Sequence, residues 1–175
     1  MGWANQEIYK AVQKLDSKVL DYYIFDPEWT VKRILIHTVS AAHSYEQRLA
    51  GNKLVKLELK NADSPEVIDE LLDHLKRIDT DSLKYVESED KDIHYVLSDG
   101  GERISKASTI LSQMVFHSAE HRAQIVAALG GANFLSNLLG DASINAMTLA
   151  GICLIIAALA NTLITEKNVI SYVND

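Results

Sequence analysis

The sequence predicts an all-α protein: an antiparallel four-helix bundle with a small β-hairpin before the last bundle helix and an extra apolar helix at the C-terminal end. Three observations predict it. Apolar residues recur at spacings of three and four through four separate segments, the period of helices with one buried face. One stretch, residues 92–98, alternates instead and is followed by Asp99-Gly100-Gly101, the mark of a tight hairpin turn. The connections read as short, which favours antiparallel neighbours.

Residues 3–23 carry Ile8, Val12, Leu15, Val19 and Tyr22 at helical spacing. Asp26-Pro27 then punctuates the chain, with Asp26 placed to cap a second helix and Pro27 in its first turn. That helix runs through His37 to about Leu49 and stops at Gly51-Asn52. A third begins at Ser64-Pro65-Glu66 and reaches about Val86, with Val67, Leu71, Leu75, Ile78 and Leu83 inward. The hairpin closes near Arg103, and the apolar run of residues 107–129 forms the fourth helix.

That fourth helix contains His117-Ser118-Ala119-Glu120-His121. Two imidazoles at i and i+4 share one helical face, and Met114, Ile125 and Ala128 share it too, so the pair points into a packed interior. One histidine on an apolar face is most often a hydrogen-bonded core residue. Two of them one turn apart can instead bind the same ion when a third ligand arrives from elsewhere. His37 is the best candidate for that ligand, on the second helix between Ile34 and Ala41.

Composition narrows the function classes. A chain of 175 residues fits one domain with a terminal addition, and its net charge of −7 comes from 17 basic and 24 acidic residues with no basic cluster. A nucleic-acid surface is therefore not expected. Cys153 is the only cysteine, so neither a disulfide framework nor a cysteine-based zinc site is available. The N-terminal residues Trp3, Asn5, Gln6 and Glu7 do not read as a secretory signal. A reducing, cytoplasmic location is the expectation.

Trp3-Ala4-Asn5, Ile34-Leu35-Ile36-His37 and His117-Ser118-Ala119-Glu120-His121-Arg122-Ala123-Gln124, in that order and with a hairpin before the last helix, resemble the DinB-like family of metal-binding four-helix bundles. The YfiT-like proteins and thiol-dependent transferases are relatives of that family. The resemblance covers roughly residues 1–130. It implies that His37, His117 and His121 form a metal triad and that the metal centre can serve low-molecular-weight thiols.

A three-histidine site leaves coordination positions open, the arrangement of metal centres that do chemistry rather than of closed structural ones. Imidazole-only ligation suits zinc, nickel, copper or iron; zinc is expected first and nickel second. The expected function is a metal-dependent transferase, using a low-molecular-weight thiol, or a hydrolase acting on a small molecule. The alternative is a non-catalytic metal-binding or membrane-associated interaction protein. His117-x-x-Glu120-His121 also fits the inverted zinc-protease pattern, but the remaining chain is too short for that fold, and Glu120 reads as an exposed surface residue. Arg122 and Gln124 read as surface charge and packing behind the ligands. His43 and His74 read as solvated helix positions and His94 as part of the hairpin, while Trp29 and Tyr45 read as core aromatics that could line a pocket.

The end of the chain departs from the resemblance. Residues 142–165 carry no charge. Their length permits a membrane span, but Asn145, Thr148, Asn161 and Thr162 interrupt it and no basic or aromatic flank accompanies it. The favoured reading is a bundle of residues 1–141 followed by a tail, residues 142–175, packed on the bundle or buried in a homodimer interface.

Overall fold

A computed structural model describes the backbone of residues 2–140 and side chains as far as residue 131. The chain divides into two compact units, residues 1–129 and 130–175. The described elements are four helices and one two-stranded sheet: α1 (Gly2–Gln13), α2 (Val31–Leu49), α3 (Val67–Val86), β1 (Asp92–Val96), β2 (Glu102–Lys106) and α4 (Ala107–Gly140). The C-terminal helix expected at residues 142–165 lies outside the described residues. Among those residues, no helix is long and apolar enough to cross a membrane.

Helix α1 buries Asn5, Tyr9 and Val12, and the Tyr9 hydroxyl donates to the Leu35 carbonyl at 2.7 Å. It ends ten residues short of the expected Tyr23. Asp16 accepts from the Lys18 amide at 2.9 Å and opens a separate 3-10 turn, Ser17–Asp21. Leu15, expected inward, is therefore exposed. The start of α2 also differs from expectation, because Asp26 spends its carboxylate on the Glu28 amide in a local turn. Thr30 caps the helix instead, its hydroxyl accepting from the Arg33 amide at 3.3 Å.

Helix α2 ends as expected at Gly51-Asn52. The Asn52 amide bonds the Gln47 carbonyl and the Gly51 amide the Arg48 carbonyl, with Gly51 at φ 68°, a Schellman stop that favours glycine. In α3, Val67, Leu71, Leu75 and Ile78 are buried as expected. Leu83 is 64% exposed, and Ser82 takes the next inward position. The hairpin pairs Asp92 with Lys106 through to Val96 with Glu102, so β2 extends past the expected end at Arg103. Ile93 anchors it on Leu49, Ala107 and Ile110.

The helices are not all antiparallel. Gln6 contacts Asp79 and Gln13 contacts Asp69, so α1 and α3 run in opposite directions. Lys32 reaches the Asp63 carbonyl just before α3, whereas Glu46 near the end of α2 pairs with Arg77, so α2 and α3 run the same way. The cause is the connection, residues 50–66, which carries the chain back along the 19-residue α2, about 28 Å at 1.5 Å per residue. Side chains fix both ends of this crossover. The Gln47 carboxamide accepts from the Val55 amide at 2.6 Å and donates to the Val55 carbonyl at 3.1 Å. Glu70 accepts from the amides of Lys60 and Asn61. Leu57 and Leu59, between these clamps, pack on the main core.

Helix α4 contributes Met114, Ile125 and Ala128 to the core shared with Ile34, Leu35, Leu71 and Leu75. It runs antiparallel to α2, since Trp29 meets Gln124 while Tyr45 meets His117. That pairing brings the second-helix histidine against the fourth-helix pair.

Candidate metal centre

His37, His117 and His121 converge between α2 and α4. The Nε2 atoms of His37 and His117 are 3.1 Å apart, as are those of His121 and His117. Two donors placed tetrahedrally about 2.1 Å from one ion are themselves about 3.4 Å apart, so these separations suit a shared ion. One ligand atom from each ring lies within 4.8 Å of the others, and the group contains no carboxylate or thiol. Every donor is an imidazole, and the three together could hold a metal ion.

Burial and mutual proximity favour the neutral rings. Desolvation, reinforced by the facing His121 and His37, holds His117 down at about 4. Burial, with His121 adding to it, also lowers His37, while Glu120 acts weakly in the other direction. His121 is the most buried of the three, at 6% exposure.

The side chains behind the triad orient it. The Trp29 indole N–H can only donate, and it bonds Gln124 Oε1 at 3.2 Å. The same oxygen lies 2.8 Å from His121 Nδ1. That nitrogen must therefore carry the proton, which leaves the His121 Nε2 lone pair facing the other two rings. Trp29 also sets its edge against His37, with ring centres 5.2 Å apart. Tyr45 stands on the opposite side, 5.9 Å from the His117 ring. Both aromatics pack against the main core, as expected, and stand beside the triad as well, while Gln124 supports His121, the packing role expected of it.

Arg122 bonds the carboxamide oxygen of the fully buried Asn5. It ties α1 to α4 beside the triad, a role that its reading as surface charge did not include. Glu120 is exposed, as expected. His74 and His94 stay apart from the triad, as does His43. His43 is not solvated, however: its side chain is 18% exposed and bonds Gln47 within a polar cluster that includes Glu46.

The family comparison agrees with this geometry. The DinB family profile matches residues 1–132, three quarters of the chain, including all three histidines of the triad. The chain belongs to the DinB family. A search of curated proteins returns no match for it. Both segments of the DinB resemblance that flank the helical core, Trp3-Ala4-Asn5 and the stretch through Gln124, meet in space through the Asn5–Arg122 contact.

Proposed function

We propose that this DinB protein binds one divalent transition metal through the Nε2 atoms of His37, His117 and His121, zinc first and nickel second, and acts on a small molecule as a metal-dependent thiol transferase or hydrolase. The convergence of three imidazole nitrogens, with the His121 tautomer set by Gln124, is the observation that supports it. A metal with three neutral ligands keeps its full charge and open positions, and when bound supplies Lewis acidity to a donor group of the small molecule. The chain's own part is positioning. His117 and His37 stay unprotonated, Gln124 fixes the His121 ring, and Trp29 and Tyr45 bound the site on either side.

Elemental mass spectrometry on protein purified without a histidine tag tests this reading, alongside His117→Ala. We expect close to one zinc or nickel per wild-type chain and almost none in the variant, with helicity retained because the apolar core carries the fold. Equal metal content in both proteins, or none in either after reconstitution, removes the assignment. A metal-loaded protein then enters assays of thiol transfer and of hydrolysis, with the metal-free protein as the control.

A further inference from the structure

Arg48 lies eleven residues after His37 on α2, just over three whole turns, so it shares the face of the triad about 16 Å further along the axis. Its side chain leans back toward that site, with Cζ 5.0 Å from the centre of the Tyr45 ring. Tyr45 in turn stands 5.9 Å from the His117 ring. The Tyr45 ring thus lies between the guanidinium and His117. On its other side the guanidinium meets Tyr95 of the hairpin, at 5.6 Å.

Arg48 combines a buried donor with the want of an anion. Its Nε is buried with no hydrogen-bond partner, and among the described residues the guanidinium joins no ion pair. Two other arginines of the bundle are satisfied: Arg77 holds Glu46 through both terminal nitrogens, and Arg122 holds Asn5. A buried guanidinium N–H without an acceptor is costly. Tyrosine rings interact with a guanidinium through the ring faces, and neither accepts its in-plane N–H donors here. Those donors remain available as a fork matched to a planar or tetrahedral oxyanion.

We propose that Arg48 binds the acidic group, carboxylate or phosphate, of a small molecule whose other end reaches the histidine triad. The proposal rests on the metal-binding reading for the far end of that ligand but not for the acidic end. The charge balance agrees with it. The triad supplies no carboxylate, so a divalent ion there together with Arg48 forms a site with two positive ends. An acidic thiol, carrying a donor anion at one end and an oxyanion at the other, is the matching class. Neutral thiols of the same length lack half of the complement.

The test is calorimetric titration of zinc-loaded protein with 3-mercaptopropionate, with 2-mercaptoethanol as the neutral probe and 2-mercaptoethyl phosphate to distinguish the two oxyanions. Wild-type protein is compared with Arg48→Met, which keeps the apolar stem in place, and with Arg48→Lys, which keeps the charge but loses the fork. Metal content is measured independently in every sample. We expect Arg48→Met to hold as much zinc as wild type and to bind the acidic thiols about 10- to 100-fold more weakly, with binding of 2-mercaptoethanol unchanged and Arg48→Lys intermediate. No loss in Arg48→Met, or the same loss for the neutral thiol, overturns the assignment. Should wild-type protein take up no zinc, the metal reading fails by itself. Titration of metal-free protein then decides about Arg48: Arg48-dependent binding of 3-mercaptopropionate upholds it, and binding that is absent or insensitive to Arg48→Met overturns it.

Discussion

The carboxamide oxygen of Gln124 serves two donors, the Trp29 indole and His121 Nδ1. Replacing it with leucine leaves both donors unpaired and frees the His121 ring to turn or to exchange tautomers. We expect Gln124→Leu to lower zinc affinity about 10- to 100-fold with unchanged far-UV circular dichroism, read by competition against a chromophoric chelator. His117 yields a second prediction at this scale. Its folded value of about 4 lies below the ordinary 6.5, so the unfolded chain takes up the proton first as pH falls. The part of the metal-free protein's stability that the neutral His117 ring contributes is thus fully present above pH 6.5 and is lost as pH falls toward 4. Urea midpoints between pH 7 and 4 should show this loss, and His117→Ala should reduce the slope. The triad was legible because helical spacing alone puts His117 and His121 on one face with Met114 and Ile125. The role of Gln124 was only partly legible, since spacing shows that it follows His121 by less than a turn but not that Trp29 arrives from α2 to fix its oxygen. Arg48 shares the face of His37 by the same arithmetic. What the sequence did not carry is the want of a counter-ion among the described residues, which appears only once their acidic side chains have a place.

At the level of elements, the crossover depends on a few polar clamps. Gln47 is 9% exposed and holds both backbone groups of Val55. Gln47→Ala should cost about 1–2 kcal/mol in urea unfolding and quicken amide exchange in residues 53–57, leaving the exchange of α3 amides unchanged. The helices themselves were readable because their apolar periodicity is strong. Their ends were less so. Asp16 and Asp26 each make a local turn that a spacing argument cannot distinguish from a helix cap, and Leu83 lost its inward place to Ser82 through the drift of a 3.6-residue period. The direction of α3 relative to α2 was hidden for another reason. An amphipathic stripe states which face is buried but not which way the neighbouring helix runs, and the sign lay in the length of residues 50–66, long enough to travel back beside α2.

In the molecule as a whole, fold and site draw on different residues. Leu71 and Leu75 are fully buried in the core, and Leu75→Ala should destabilise the protein by about 2–5 kcal/mol while the folded fraction retains its full zinc content. On the proposed reading, zinc should act in the opposite sense. His37 and His117 lie 80 residues apart in sequence, so an ion held between them favours the folded chain over an unfolded one in which the ligands are scattered. At a free concentration about 100 times its dissociation constant, zinc should add about 2.7 kcal/mol, seen in calorimetry as a rise in melting temperature that increases with zinc and vanishes in His37→Ala.

The crossover also divides the three proposed ligands. His37 precedes it, and His117 and His121 follow it. A cut among Asn52, Lys53 and Leu54 would leave each fragment with an incomplete coordination set, one histidine in the first and two in the second. Metal uptake by the mixed fragments, compared with each alone, would then be a direct gauge of reassembly, and the bundle could serve as a split reporter whose output is a bound ion.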